Sequence, residues 1–175
     1  FPKEEIDAIK RDTPEALFQQ EYMVQFIDDA YSCFPNAERL AIEKHRVDQG
    51  MFGSERDPHQ FGIDLAKYQD YTCVMAANAL TRHVRMLEHC NLVGWAEQKA
   101  RIVALSKQYK CMNLNMDETG IGDPVVEDIK LLGLPATGIK FSMQMREMLL
   151  KNLAVQIQNG TITFDKDQGL LDELS

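Results

Sequence analysis

The sequence lacks the cysteine and nucleotide-binding motifs that would place it in several common protein classes. Its four cysteines, Cys33, Cys73, Cys90 and Cys111, form no CxxC pair and no cluster with histidine. This spacing argues against a structural zinc site and favours buried, reduced thiols in a reducing compartment. The motif GxxxxGK(S/T) is also absent, so the sequence gives no reason to expect ATP hydrolysis.

Long apolar runs and an excess of positive charge are missing as well. The sequence contains no apolar stretch of about eighteen residues, so no membrane span is predicted. Acidic residues number 27 against 19 basic ones, for a net charge of −8, which argues against a broadly basic surface for nucleic acid. The chain starts at Phe1 without a signal-peptide pattern, and we therefore expect a domain cut from a longer protein.

The length and composition predict an ordinary globular domain. The 175 residues are 45% hydrophobic and 26% charged, which is enough to build one sizeable core. Segment 48–60 is rich in glycine and charge and predicts a loop or linker. We expect residues 1–59 to form a helical entry segment with this linker, packing on a main domain of residues 60–175, with one folded unit overall.

Hydrophobic periodicity predicts strands first and alternating helices and strands later. Three consecutive strands are expected after residue 60, and they are able to pair as hairpins. This order specifies an α/β fold whose mixed sheet is antiparallel at first and then parallel, with flanking helices. The predicted elements are helices at 3–11, 15–26 and 36–47, strands at 60–66, 71–78 and 82–90, a helix at 95–109, a strand at 113–117, a helix capped by Asp123 and closed by Gly133, an extended segment at 134–141, a helix from Ser142 to Gly160, and a strand at 161–164.

Two aspartates lie on predicted strands. Asp64 stands inside the apolar run of the first predicted strand, where an unneutralised carboxylate would be costly. Asp117 ends the fourth strand, and adjacent parallel strands bring their carboxyl ends to the edge where ligands usually bind. Two carboxylates there repel each other unless a cation lies between them, and oxygen ligands favour Mg²⁺ or Mn²⁺ over zinc. On spacing alone, aspartates that only cap turns remain an equally good interpretation.

Four segments, taken in order, resemble one protein family. They are EALFQQEYMVQFID, FGIDLAKYQDYTCVM, MDETGIGDPVVEDI and GIKFSMQMREMLLKNLAVQIQNGTITF. Together they cover most of the chain and resemble the C-terminal nuclease domain of the large terminase subunit of tailed bacteriophages. The resemblance implies an RNase H-like fold. It also implies a viral genome-packaging endonuclease that cuts double-stranded DNA concatemers with two Mg²⁺ or Mn²⁺ ions.

The resemblance also implies roles for individual residues. Asp64 and Asp117 match the first and second catalytic, metal-binding acids of the family, and Asp70 occupies a position that is often acidic there and is a further candidate ligand. The third acid of the family lies beyond the strand after the long helix, and neither Asp165 nor Asp167 matches its motif. Two alternative functions therefore remain. The chain could be a fragment without nuclease activity that serves as a docking module for DNA, the portal and the ATPase, or another RNase H-like nuclease such as a resolvase.

Basic residues and partners complete the expectations. Lys67 and Lys140 flank the predicted edge and, with Arg146, are candidates for weak DNA contacts, although solvated surface charges are the simpler interpretation for an acidic chain. The resemblance implies double-stranded DNA, the portal ring and the small terminase subunit as partners. It also implies an ATPase domain before Phe1 in the parent protein, and action in the host cytoplasm during phage assembly, with no membrane involved.

Overall fold

The structure, a computed structural model, describes residues 3–15, 18, 34, 37–43, 46, 50, 53–66, 70–118 and 122–174. These residues contain six helices and seven strands, and none of the helices is both long and apolar enough to cross a membrane. In chain order they are α1 (Lys3–Asp12), α2 (Ala37–Leu40), β1 (Ala41–Ile42), β2 (His59–Asp64), β3 (Thr72–Asn78), β4 (His83–Cys90), α3 (Trp95–Gln108), β5 (Cys111–Asp117), α4 (Gly122–Leu131), β6 (Ala136–Ile139), α5 (Met143–Gln158), β7 (Thr163–Asp165) and α6 (Gln168–Glu173).

The chain divides into two compact units. The first combines Phe1–Lys44 with Ser142–Ser175, and the second is His45–Phe141. The two ends of the chain therefore belong to one unit, and the middle of the chain forms the other. The predicted separation of an entry segment from a main domain near residue 59 stays a prediction.

The second unit contains five strands in the order β4-β3-β2-β5-β6. β3 pairs antiparallel with both β2 and β4, whereas β5 pairs parallel with both β2 and β6. Parallel neighbours need a crossover connection, and α3 and α4 precede and follow β5 in the chain. This arrangement confirms the predicted mixed sheet, antiparallel in its first three strands and parallel afterwards.

One face of this sheet is packed against α3 and α4. Phe61 and Ile63 of β2 are 1% and 4% exposed, and Leu114 and Met116 of β5 are fully buried. This burial removes apolar surface from water, which stabilises the fold by roughly 25 cal/mol per Å². The core is completed by Val74, Ala76, Ile102, Tyr109, Val125, Val126 and Ile129.

Ion pairs at the surface align α3 with its neighbours. Lys99 Nζ lies 2.5 Å from Asp128 Oδ2 of α4. Arg101 Nη1 lies 2.7 Å from Glu88 Oε1 of β4. Such partly exposed pairs contribute only about 0–1 kcal/mol each, so the position of α3 depends mainly on the apolar core beneath it.

The first unit has its own small core. β1 pairs parallel with β7, with Ala41 opposite Phe164. Helix α5 begins after Ser142, whose Oγ accepts the Met145 N–H at 3.2 Å, and this confirms the predicted N-cap. Gly160, at φ +63°, follows the helix at its C-terminal end as predicted. Among the residues of this unit that the structure describes, the buried apolar ones are Phe18, Ala37, Leu40, Ala154, Ile157, Phe164 and Leu171.

Three helix predictions differ from the structure or fall outside it. The helix predicted at 36–47 ends at Leu40, because residues 41 and 42 pair with β7 and this tertiary pairing overrides local propensity. Helix α4 starts at Gly122 rather than after an Asp123 N-cap, although Gly133, at φ +81°, follows its end as predicted. Most of the helix predicted at 15–26 lies outside the described residues.

Candidate active site

Asp64 and Asp117 end two adjacent parallel strands. In the β2–β5 ladder, Ile63 lies opposite Met116. The next residue on each strand is Asp64 on β2 and Asp117 on β5, so the two acids stand side by side at the carboxyl ends. Neighbouring strands are about 4.8 Å apart, which brings the two carboxylates within reach of a shared cation.

Both acids lie on the face of the sheet that is opposite the apolar core. Burial alternates along His59–Asp64, and Asp64 falls on the exposed side. In β5, Leu114 and Met116 are buried, whereas Asp117 is half-buried. Because successive side chains of a strand point to opposite faces, Asp64 and Asp117 share the more open face.

The expectation that Asp64 sits inside a buried strand is wrong. Strand β2 ends at Asp64 rather than at residue 66, and the aspartate is exposed. Its carboxylate is therefore hydrated, and folding does not bury a charge that a cation would have to neutralise. What favours a cation here is the repulsion between two carboxylates on neighbouring strands.

Asp70 lies at the same end of the sheet as Asp64. It is exposed and lies in the connection between β2 and β3. These two strands pair with Asp64 opposite Cys73, so the connection starts and ends beside Asp64. The structure thus brings Asp70 to the predicted edge. It does not place Asp70 in a three-carboxylate cluster with Asp64 and Asp117.

The basic candidates are distributed over different parts of the chain. Lys140 is exposed directly after β6, where Ile139 lies opposite Asp117. Arg146 is exposed on α5 in the first unit. Lys67 lies outside the described residues.

In the part of the chain that the structure describes, no group of three or more histidine, cysteine, aspartate or glutamate side chains is arranged to hold a metal ion. Asp64 and Asp117 fit part of the oxygen-rich shell that a hard divalent cation prefers. Asp167, considered above as a third acid, instead caps α6 by accepting the Leu170 N–H at 2.9 Å. Asp165 ends β7 in the first unit.

Comparison with known proteins identifies relatives that match most of the chain. No protein-family profile matches the sequence. The large terminase subunit of Thermus phage G20c is 30% identical over 166 residues, which is 92% of this chain and 34% of that protein. The terminase ATPase subunit of Escherichia phage P2 is 25% identical over 175 residues, which is 92% of this chain and 29% of that protein. The chain thus spans about a third of the length of these relatives.

Solved structures agree with these sequence matches. The large terminase nuclease of phage G20c with bound magnesium superposes with a TM-score of 0.69 and 26% identity, over 84% of this chain and 80% of that one. This chain is a homologue of the nuclease domain of phage large terminase subunits. The family resemblance and the RNase H-like fold are thereby confirmed. The G20c nuclease has also been solved with zinc and with cobalt, with TM-scores of 0.67 and 0.69.

Beside Asp117, this terminase nuclease homologue carries a second acid on the other side of the strand. The Glu118 N–H donates to Ile139 O at 2.9 Å. A Cβ added at Gly138 would lie 2.6 Å from Glu118 Cδ. Because Gly138 lies opposite the buried Met116, the Glu118 side chain lies toward the core face.

Two buried polar residues next to Asp64 were missed by the sequence analysis of the terminase homologue. Thr72 and Gln98 are each 2% exposed, and both bond to the backbone of Ala66, two residues after Asp64. A threonine that begins a strand and a glutamine within a helix match no motif. No sequence signal would have connected Thr72 and Gln98 with the site.

Proposed function

We propose that this chain is the metal-dependent endonuclease domain of a viral DNA-packaging terminase, and that it cuts double-stranded DNA concatemers. The observation that carries this proposal is that Asp64 and Asp117 directly follow the last β2–β5 pair, Ile63 and Met116, and so lie side by side at the carboxyl ends of the two strands. Related nuclease domains solved with magnesium, zinc and cobalt support the use of a divalent metal. Oxygen ligands favour Mg²⁺ or Mn²⁺ among such ions.

In this proposal Asp64 and Asp117 hold the metal, and Asp70 is a candidate to extend the site. A pair of bound ions supplies an activated water and stabilises the leaving oxygen of a phosphodiester. The chain itself contributes geometry, because the parallel ladder fixes the spacing of the two acids. Since Asp64 is exposed, a phosphodiester can approach it without unfolding of β2.

Basic residues near the site would add weak contacts to DNA phosphates. Lys140 is exposed one strand away from Asp117, and Lys67 and Arg146 are the further candidates. Replacing Lys140 with alanine should weaken DNA binding and reduce the slope of log affinity against log salt by about one. Lys130, an exposed lysine on α4, serves as the matched control. An equal loss in Lys130→Ala would contradict a specific role for Lys140.

The partners of the parent protein form part of the same proposal. Since the curated relatives are about three times longer than this chain, we infer that an ATPase domain accompanies it. We also propose the portal ring and the small terminase subunit as partners, and the host cytoplasm during phage assembly as the place of action. Co-purification of the full-length protein with a portal preparation would test the portal contact.

The experiment that tests the nuclease is plasmid nicking in Mg²⁺ or Mn²⁺. Asp64→Asn and Asp117→Asn should each reduce cleavage by about 100-fold or more, because each removes a metal ligand. Glu118→Gln is the matched control, since it changes the acid next to Asp117 but on the other side of the strand. It should retain cleavage to within about threefold. Unchanged cleavage in both aspartate variants would overturn the assignment.

One observation supports a second function, that of a docking module without cleavage activity of its own. The described residues provide two paired carboxylates and no third metal ligand beside them. A docking module would bind DNA weakly and would not cleave it at any metal concentration. Cleavage that appears only after the chain is joined to the rest of its parent protein would favour this alternative.

A further inference from the structure

We propose that Gln98 and Thr72 are positioning residues that hold Asp64 in place through the backbone of Ala66. The inference rests on the proposed function, because it concerns how the chain presents a metal-binding acid. Neither residue contacts the metal or DNA in this proposal. Both bond to the backbone of Ala66, two residues after Asp64, at the start of the connection that carries Asp70.

The need for such support follows from where the strand ladders stop. Asp64 forms the last pair of β2 with β3, and Ile63 forms the last pair of β2 with β5. Ala66 therefore lies beyond both ladders. A backbone that leaves a ladder tends to fray and open locally, and an acid at the last ladder position would share that motion.

Side chains replace the missing strand partners of Ala66. The Ala66 N–H donates to Thr72 Oγ1 at 2.9 Å, and Gln98 Nε2 donates to Ala66 O at 2.7 Å. Thr72 Oγ1 lies 2.9 Å from Gln98 Oε1 and 2.8 Å from Ala66 O. The hydroxyl has one proton, and Ala66 O already accepts from Gln98. Donation from Thr72 to Gln98 Oε1 therefore closes a ring in which every group is satisfied.

This ring connects Ala66 to the rigid part of the unit. The second Gln98 amide proton is donated to Val93 O at 2.7 Å, just before α3. Helix α3 is anchored in the core by Ile102, which is 1% exposed. A buried amide or hydroxyl is costly unless its hydrogen bonds are made, and here all of them are made. Asp64 is thus fixed on one side by the ladder and on the other side by this ring.

The matched variants are chosen to separate positioning from general stability. Thr72→Val keeps the side-chain shape and removes the hydroxyl, whereas Thr72→Ser keeps the hydroxyl. Gln98→Leu removes all of the hydrogen bonds that the Gln98 side-chain amide makes. Ser106→Ala is the control on the same helix, because Ser106 is 7% exposed and its Oγ bonds to Ile102 O of its own helix at 2.7 Å.

Two measurements on the folded variants test the proposal. Hydrogen exchange of the Ala66 amide, followed by NMR, should become about tenfold faster in Thr72→Val and Gln98→Leu. Calorimetric titration with Mn²⁺ should show affinity weakened by about five- to twentyfold in these two variants. Thr72→Ser and Ser106→Ala should stay within about twofold of the unmodified chain in both measurements. If Gln98→Leu does not fold, the Thr72 pair alone decides.

Asp64→Asn serves as the reference for binding at the proposed site. If it binds Mn²⁺ as the unmodified chain does, the metal site itself is wrong, and the proposed function and this inference fail together. If Asp64→Asn loses binding while Thr72→Val and Gln98→Leu keep it, the site stands and the positioning role is overturned. A loss in Thr72→Ser equal to that in Thr72→Val would also overturn it, because the hydroxyl would then not be the cause.

Discussion

The carboxylate of Glu118 lies directly over the backbone of Gly138 on the neighbouring strand. A Cβ at residue 138 would come within 2.6 Å of Glu118 Cδ and 3.1 Å of its Cβ. We therefore expect Gly138→Ala to lower the free energy of unfolding by about 1–3 kcal/mol, measured by urea denaturation. The loss should be smaller in a Glu118→Ala background, because most of the clash is removed there.

Gly62 provides the control for this glycine prediction. A Cβ added at Gly62, on the exposed side of β2, would meet no atom within 4 Å. Gly62→Ala should leave the free energy of unfolding unchanged or raise it slightly, since glycine weakens a strand. If Gly62→Ala costs as much as Gly138→Ala, crowding by Glu118 is not the explanation.

The two site aspartates should weaken the metal-free fold. Asp64 and Asp117 stand side by side, and like charges at this spacing repel each other. In EDTA, Asp117→Asn should therefore melt higher than the unmodified chain by about 2–4 °C. Mn²⁺ should raise the melting temperature of the unmodified chain and have much less effect on Asp117→Asn. A variant that melts lower in EDTA would contradict this account.

Asp57 should make a pH-dependent contribution to stability. Its Oδ2 accepts hydrogen bonds from the Ser54 N–H at 2.7 Å and from Asn78 Nδ2 at 2.9 Å. These bonds, the one from Ser54 first, hold the pKa of Asp57 below its usual value of 3.8. Because the folded pKa lies below the unfolded one, the stabilisation is present above about pH 4 and is lost as the pH falls through the folded pKa.

Denaturation of the Asp57→Ala variant at a series of pH values tests whether the stabilisation by Asp57 decreases toward acid pH. The stability difference from the unmodified chain should be constant between about pH 5 and 7 and should shrink below about pH 4. A difference that grows toward acid pH would contradict the hydrogen-bond explanation. The measurement needs no metal and is independent of nuclease activity.

The cysteine thiols should react slowly. Cys73, Cys90 and Cys111 are half-buried and lie outside any disulfide, whereas the sequence predicted buried thiols, and Cys33 lies outside the described residues. Burial raises the pKa of both Cys90 and Cys111, and the nearby Glu88 carboxylate raises that of Cys90 further. Reaction with a disulfide reagent at about pH 8 should therefore be slow at these two positions, because the thiolate is the nucleophile.

Unfolding supplies the comparison for the thiol measurement. In guanidinium chloride all of the cysteines should react rapidly at the same pH, since denaturation removes the burial. Mass spectrometry of the labelled peptides would assign the rates to Cys90 and Cys111. Equal rates in the folded and unfolded chain would show that burial does not control their reactivity.

Local patterns predicted most of the second unit. The alternation of apolar residues in β2 and the periodicity of α3 are properties of short segments, so the mixed sheet, antiparallel at first and then parallel, followed from the sequence. The RNase H-like fold followed from the family resemblance. The segment 36–47 was different, since residues 41 and 42 become a strand by pairing with β7. Because β7 lies more than a hundred residues further along the chain, the hydrophobic pattern of residues 36–47 does not indicate this pairing.

The sequence analysis predicted the two acids of the candidate site but not Thr72 and Gln98, which bond to the backbone beside Asp64. Asp64 and Asp117 followed from their positions on predicted strands and from the resemblance, whereas the end of β2 at Asp64 and the exposure of that aspartate did not. The bond from Gln98 to Ala66 joins residues 32 positions apart. This bond gives the Ala66 carbonyl a hydrogen-bond donor. That the carbonyl lacks a strand partner is known only once both ladders are seen to end before residue 66.

The parallel ladder between β2 and β5 also has a consequence for the order of folding. β2, β3 and β4 follow one another as hairpins, but β5 joins β2 only after about fifty residues have been closed into a loop. Contacts between distant segments form slowly compared with local ones. A nascent or partly folded chain therefore carries Asp64 and Asp117 as separate acids. Under the proposed function, the ability to cut arises at the end of folding, and unfinished chains leave DNA intact.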